Sequence, residues 1–265
     1  MIDWMRYRWL YLLISGSVII LGIFSVIKWG LTFGIDFTGG TVLEYRFPDG
    51  RNQVYKYAPM DASALEKIRE DFKKQNGEEV RFENVGPTVG PELVRKTLYA
   101  MLAAASGILL WVAMQFKSFK FGVSAVLAML HDSLVTIGVY SIFGHFFGAE
   151  VDLLFVTALL TILSFSVHDT IVVYDRIREL RKGFGDNIYD LANKAVTETM
   201  VRSLNNSFVV IFMMVALLLI GGETIRWFVA TLLIGTISGA YSSPFVAVPI
   251  LVTWDELRKR VKSEN

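Results

Sequence analysis

The sequence of this 265-residue chain predicts an all-α polytopic membrane protein with six transmembrane helices and one small α+β domain. Two observations support the prediction. Hydrophobic residues make up 53% of the chain and charged residues 19%, which is below the ~25% usual for soluble proteins. Six stretches are also apolar over about 20 residues, the length that a helix needs to cross a bilayer.

The charge balance and the residue counts exclude several classes of protein. Lys and Arg number 26 against 25 Asp and Glu, so the chain lacks the basic excess of a nucleic-acid-binding protein. It has no cysteine and only three histidines, and it lacks both the H-E-x-x-H pattern of a metallohydrolase and a Ser/His/Asp catalytic signature. We therefore predict no catalytic residue, no metal ligand and no cofactor.

The six predicted spans are residues 10–29, 98–116, 121–143, 152–174, 202–220 and 227–254. The first is the one most easily confused with a secretory signal peptide. Its apolar run is longer than the roughly 7–15 residues of such a signal, and no small-x-small cleavage site follows it. We therefore expect it to be a retained anchor.

The distribution of Lys and Arg in the short loops predicts the orientation of the spans. Basic residues lie before the first span, between the second and third, between the fourth and fifth, and after the sixth, whereas the opposite side carries only Arg226. Both termini are therefore expected in the cytoplasm. The predicted organisation is a cytoplasmic N-terminus with the first span (1–30), an extracytoplasmic domain (31–97), five spans (98–254) with a cytoplasmic loop (175–201), and a cytoplasmic tail (255–265).

The extracytoplasmic segment has the pattern of a folded α+β domain. Residues 41–47 and 53–57 are predicted strands, and Pro48-Asp49-Gly50 between them favours a turn. Asp61 can cap a helix that extends to Lys74, and residues 80–85 alternate as a third strand. About 60 residues of mixed structure are marginal alone, so we expect this domain to rest on another protein.

Ionisable residues lie inside the predicted spans, where a charge is costly and usually faces the protein interior. They are His131 and Asp132 in the third span, His168 and Asp169 in the fourth, and Arg202 at the start of the fifth. One interpretation is a relay for protons or ions. The other is a hydrogen-bonded lock between helices that also includes Ser166, Asn205 and Asn206. The relay is favoured for Asp169, whereas both interpretations stay open for Asp132.

Asp169 and Arg202 are placed to act together. At 1.5 Å per residue, Asp169 lies about 9 Å from Asp175, where the cytoplasmic loop is predicted to begin, and Arg202 enters the fifth span from the same side. Burial disfavours the charged form of a carboxylate, whereas a nearby guanidinium favours it. A small movement of Arg202 would therefore switch the protonation of Asp169.

A glycine-rich segment after the first span, G-I-D-F-T-G-G-T at residues 34–41, has two interpretations. A phosphate-binding loop would continue with Lys and Ser or Thr and open a helix. Neither feature is present in the sequence, so a tight turn on leaving the membrane is favoured.

Four segments of the sequence resemble the SecF family of bacterial protein-export subunits. They are residues 34–41, with Gly34, Asp36, Gly39 and Gly40; residues 167–179, with Asp175 and Arg176; residues 202–222; and residues 239–243. The segments occur in the family's order and cover nearly the whole chain. Two positions depart from the family pattern, because His168 replaces the usual Asn and Ser164 replaces a Gly.

The resemblance implies a six-helix half of an RND-superfamily transporter in the bacterial inner membrane, with SecD as the other half. It implies a function in which the proton-motive force promotes the movement of preproteins across the membrane and their release from the SecYEG channel. Asp169 would take and release protons, and Arg202 would be its charged partner. His168, Asp132 and His131 are candidates for supporting roles in the relay.

Two alternative functions remain. An RND-type exporter of lipids or small molecules would use the same relay, but such exporters usually carry twelve helices and a far larger extracytoplasmic domain. A purely structural subunit would gain little from charges placed in the membrane.

Overall fold

The computed structural model describes residues 2–48, 50–86, 89–185 and 187–263. The chain divides into two compact units. The membrane unit comprises Met1–Leu31, Met101–Ala149 and Leu154–Asn265, and the sheet unit comprises Thr32–Ala100 and Glu150–Leu153.

Helices dominate the chain. In chain order the elements are α1 (Arg8–Trp29), α2 (Ile35–Thr38), β1 (Gly40–Arg46), β2 (Asn52–Tyr57), α3 (Ala62–Lys74), β3 (Glu78–Val85), α4 (Val89–Gln115), α5 (Phe119–Phe147), α6 (Leu153–Phe184), α7 (Ile188–Ile220), α8 (Glu223–Ser242) and α9 (Val248–Ser263). A 3₁₀ turn, Trp4–Tyr7, precedes α1, and a π-helical turn, Ser243–Ala247, joins α8 to α9. Within the described residues, six helical segments are long and apolar enough to span a membrane, which confirms the predicted fold class.

The segment between the fourth and fifth predicted spans differs from the expected loop over 175–201. Helix α6 continues to Phe184 and α7 already begins at Ile188. The reason is packing, because Ile177 and Leu180 on α6, and Ile188 and Leu191 on α7, are buried in the core at helical spacing between charged neighbours. Residues 188–199 therefore form the first part of α7.

The core of the membrane unit is built around large side chains of α5 and α6. Tyr174 is fully buried, and its ring packs edge-on against Phe121, with the ring centroids 5.0 Å apart. The Tyr174 hydroxyl lies 2.7 Å from the hydroxyl of Ser124, and it donates a hydrogen bond to the carbonyl of Ala247. This network ties α6 to α5 and to the π-helical turn.

The π-helical turn has a local cause in Pro244. Proline lacks the N–H that an α-helix needs at this position, so the regular hydrogen-bond ladder is interrupted. Ser242, the last residue of α8, and Ser243, the first residue of the turn, are both fully buried.

The sheet unit contains an antiparallel sheet of three strands in the order β2-β1-β3. Leu43 on the central strand pairs with Tyr55 on one side and Phe82 on the other. The Asp61 side chain caps α3 by accepting a hydrogen bond from the Ala64 N–H, 2.9 Å away. Leu43, Tyr45, Leu65 and Phe72 form the core between the helix and the sheet. The predicted turn between β1 and β2 lies partly outside the described residues, since Asp49 is not among them.

Candidate functional site

Asp132 is the centre of a buried polar cluster in the membrane unit. The residue is fully buried on α5. Its Oδ1 accepts a hydrogen bond from the Ser238 hydroxyl at 2.6 Å and lies 3.0 Å from Nδ1 of His131. Its Oδ2 accepts hydrogen bonds from the hydroxyls of Ser166 and Ser242, both at 2.6 Å. The Asp132 carboxylate thus joins α5, α6 and α8.

This cluster matches the hydrogen-bonded lock that the sequence allowed, with different partners. Ser166 takes part as expected, whereas Asn205 and Asn206 are exposed. Each Asp132 oxygen has two polar neighbours, which compensates the cost of burying the carboxylate. His131 is buried beside it, and its Nε2 has no hydrogen-bond partner in the described part of the chain.

Asp169 lies in a different environment, although it follows Ser166 by only three residues on α6. The residue is 4% exposed, and its Oδ2 has no hydrogen-bond partner among the residues that the structure describes. The side chains of Ser203 and Ser207 on α7 lie beside the carboxyl group. Asp169 therefore has acceptor capacity that Asp132 has already used.

Arg202 lies apart from Asp169. It is exposed on α7 and lines a cavity of about 480 Å³ between α6 and α7. The other lining residues are Val172, Asp175, Arg176, Glu179, Glu198 and Thr199. No ion pair joins Arg202 to Asp169 within the described ranges, so the contact that the sequence suggested is absent in this conformation. His168 is exposed on α6 and lies outside the Asp132 cluster.

The charged residues of the cavity connect α6 to α7. Arg176 binds Glu198 of α7 at 2.5 Å and Glu179 of its own helix at 2.7 Å. Asp175 pairs with Arg178, also on α6, at 2.5 Å. The two family-motif residues at this position, Asp175 and Arg176, therefore organise the charges of the cavity wall.

The glycine-rich motif forms a tight turn in the sheet unit. The Gly34 N–H donates a hydrogen bond to the carbonyl of Val151 at 2.8 Å, and Asp36 Oδ2 accepts one from the Leu153 N–H at 2.9 Å. Gly39 and Gly40 both have positive φ, and a Cβ on Gly40 would lie 2.8 Å from the Tyr57 carbonyl oxygen. The glycine-rich segment therefore leads into β1 through a tight turn. The helix within this segment, α2, has only four residues.

Asp132 and Asp169 differ in the hydrogen-bond donors that reach them. Asp132 is held by hydroxyl donors from neighbouring helices, whereas one oxygen of Asp169 has no hydrogen-bond partner among the described residues. Within the described residues, no three His, Cys, Asp or Glu side chains group as metal ligands.

Two of the three serine donors, Ser238 and Ser242, were not identified from the sequence. They lie four residues apart, so they share one face of α8, and this spacing is a signal that could have indicated a common partner.

Two protein-family models match the chain. One is described as "Protein export membrane protein SecD/SecF, C-terminal" and matches residues 64–257. The other is the SecD/SecF GG motif, which matches residues 24–47 and so includes the tight turn described above.

Individual proteins match over nearly the whole chain. The protein translocase subunit SecF of Thermobaculum terrenum is 39% identical, with 96% of this chain and 94% of the relative covered. The corresponding subunit of Anaerolinea thermophila is 34% identical over the same shares. The crystal structure of SecDF from Thermus thermophilus, described as a translocon-associated membrane protein, superposes with a TM-score of 0.87 at 28% identity. That match covers 96% of this chain and 39% of the SecDF chain.

Proposed function

This chain belongs to the SecF family of protein translocase subunits and functions in Sec protein export, and from that premise we propose that it uses the proton-motive force. The observation that carries the proposal is the state of Asp169, which is buried and keeps one oxygen without a hydrogen-bond partner. Arg202 lies on the neighbouring helix, α7, and in the proposed cycle a movement of that helix would bring it to Asp169.

The energy available from each proton is sufficient to drive a conformational cycle. Moving one charge across the membrane releases about 2.3 kcal/mol per 100 mV. A carrier must be neutral in one conformation and charged in another, so it needs a carboxylate whose environment changes. Asp169 meets this requirement because burial disfavours its charged form and the approach of Arg202 favours it.

In the proposed cycle, the conformation with Arg202 away from Asp169 is the protonated half. With Arg202 in the cavity, Asp169 has no compensating cation and takes up a proton. When Arg202 moves to Asp169, the charged carboxylate is stabilised and the proton leaves. Movement of α7 relative to α6 is then coupled to protonation, which is how the proton gradient would perform work on the complex.

The assembly and the location of the protein are part of the same proposal. SecD would supply the other six helices, and the complex would draw preproteins from the SecYEG channel on the far side of the bacterial inner membrane. Both termini would lie in the cytoplasm and residues 31–97 outside it, as the basic loops indicate. An exporter of lipids or small molecules is less well supported, because the sheet unit is too small to enclose a substrate.

Proton flux through the purified complex in vesicles, under an imposed proton gradient, tests the relay. We expect Asp169→Asn to abolish proton flux and proton-driven export while folding and partner binding persist, and Arg202→Met to have nearly the same effect. Asp132→Asn is the control, since this carboxylate is already bound by three hydroxyls, and its effect on flux should be milder. Wild-type flux in the Asp169→Asn variant would remove this residue from the mechanism.

A further inference from the structure

Apart from Arg202, the residues that line the cavity between α6 and α7 carry more negative than positive charge. Its wall holds the carboxylates of Asp175, Glu179 and Glu198. Arg178 compensates Asp175, while the single guanidinium of Arg176 is shared between Glu179 and Glu198. These three carboxylates and two guanidiniums sum to a charge of −1.

The Arg202 side chain lies at the same cavity and can balance this negative charge. It lines the same cavity and makes no ion pair with any residue in the described part of the chain. Glu198 precedes it by four residues on α7, so the two side chains share a helix face in the order that favours their attraction. The cavity thus provides a counter-charge for Arg202 when it is away from Asp169.

The cavity also lies close to Asp169 along the helix axis. Val172, which lines the cavity, follows Asp169 by three residues on α6, a rise of about 4.5 Å. A change of side-chain rotamer together with a small helix shift covers such a distance. Arg202 can therefore alternate between the cavity and Asp169 without unfolding either helix.

We infer that Glu198 is a positioning residue whose negative charge favours Arg202 at the cavity while Asp169 carries its proton. The inference rests on the proposed function, in which Arg202 leaves and rejoins Asp169. Without the Glu198 charge, Arg202 stays with Asp169, the charged carboxylate is retained, and the next proton is not taken up. Glu198 would thus set the balance between the two positions of Arg202.

A neutral substitution tests this role with a matched control. We expect Glu198→Gln to lower proton flux in vesicles about tenfold, which corresponds to ~1.4 kcal/mol. The control is Glu256→Gln, because Glu256 also pairs with an arginine, Arg8, at 2.5 Å and its side chain is 33% exposed against 34% for Glu198. Glu256 lies on α9, outside the cavity, so its substitution should leave the flux within twofold of wild type.

A charge exchange separates positioning from simple support of the α6–α7 contact. The double variant Arg176→Glu with Glu198→Arg restores an ion pair between the helices but places a positive charge four residues from Arg202. A structural role predicts recovery of flux, whereas the positioning role predicts that flux stays low, because like charges at this spacing repel. Recovery of wild-type flux in the double variant would overturn the inference.

The outcome for Asp169→Asn, measured in the same vesicles, distinguishes failure of this inference from failure of the proposed function. If Asp169→Asn loses proton flux while Glu198→Gln keeps wild-type flux, the role of Glu198 is rejected and the proposed relay is not. Unchanged flux in Asp169→Asn rejects the relay itself and, with it, the reason for Arg202 to move. Co-purification with the partner subunit confirms in each case that the variants assemble.

Discussion

Asp132 and Asp169 show how neighbouring carboxylates in one membrane protein acquire different properties. Both are buried, and both follow a histidine in the sequence. Asp132 receives three serine hydroxyls from two other helices, whereas Asp169 keeps an oxygen without a partner in the described chain. The number of donors, rather than depth or sequence context, distinguishes the structural carboxylate from the proposed proton carrier.

The Asp132 cluster leads to a prediction about stability. Asp132→Ala removes the common acceptor and leaves three buried serine hydroxyls without it, which should cost about 1–3 kcal/mol more than Asp132→Asn. The asparagine variant keeps one carbonyl oxygen, and the serine hydroxyls can rotate to accept from its amide. Thermal unfolding of the detergent-solubilised complex measures the difference, and equal midpoints for the two variants would contradict it.

Gly40 allows a second prediction at the scale of one residue. A Cβ there would meet the backbone carbonyl of Tyr57 at 2.8 Å, and the φ of +144° is unfavourable for any other residue. We expect Gly40→Ala to destabilise the sheet unit by about 1–3 kcal/mol. Hydrogen exchange of the β1 and β2 amides reports this loss. Gly50→Ala is the control, because Gly50 also has a positive φ but no atom within 4 Å of the added carbon, so its effect should be smaller.

At the scale of the element, the sequence predicted the spans better than their ends. The apolar runs identify the six spanning segments, because only a helix satisfies its backbone within the bilayer. The sequence predicts a loop beyond Tyr174, where the apolar run of the fourth span ends, but α6 continues to Phe184. Ile177 and Leu180 are buried there, and this tertiary packing extends the helix.

The candidate site was predictable to the extent that its residues are unusual in a membrane. Charged side chains within apolar spans are rare and costly, so Asp132, Asp169 and Arg202 could be identified from composition alone. Of the serine donors, Ser166 was predicted, whereas Ser238 and Ser242 were not, because serine is common in transmembrane helices.

The contact between β3 and α3 predicts a pH dependence of the sheet unit. Arg69 donates two hydrogen bonds to Glu79, each at 2.8 Å, and together with the Tyr45 hydroxyl they hold the pKa of Glu79 below its ordinary value of 4.5. Glu79 has a lower pKa in the folded state than in the unfolded state. The ionised Glu79 therefore contributes to stability above about pH 4.5, and this contribution is lost as the pH falls through the pKa of Glu79 in the folded state.

Hydrogen exchange of the β3 amides in the assembled complex, measured between pH 7 and pH 3.5, tests this dependence after correction for the intrinsic exchange rate. We expect the protection of β3 to fall at the acidic end in the wild-type protein. Glu79→Gln should show a flatter profile, because its side chain does not titrate. A profile of the same steepness in both proteins would assign the acid sensitivity to another group.

At the scale of the whole molecule, burial is unevenly distributed among the spans. In the most apolar windows of Gly90–Gln115 and Ile188–Ile220, 6% of residues are buried, against 50% in Phe119–Phe147 and Leu153–Gly183. Few residues in the most apolar windows of these two spans are therefore buried within the chain. Glycine, alanine and serine are frequent in the sixth span, which is typical of closely packed transmembrane helices.

We expect an obligate partner with six related helices. Affinity purification from membranes at native expression, followed by mass spectrometry, should recover a SecD-type subunit in stoichiometric amount. The isolated chain should aggregate or lose proton flux, because few residues are buried in the most apolar windows of the spans Gly90–Gln115 and Ile188–Ile220. A monodisperse and fully active preparation of this chain alone would contradict the prediction.

The Asp132 cluster also imposes an order on biosynthesis. Asp132 is synthesised 34 residues before Ser166 and 110 residues before Ser242. At about 5–20 residues per second, the ribosome needs roughly 6–20 s to add the last of these donors. During that interval α5 carries a carboxylate whose insertion at the centre of a helix costs about 2.5–3.5 kcal/mol. We therefore expect α5 to stay beside the insertion machinery, or to pack against α1, until Ser166 and Ser242 have been synthesised.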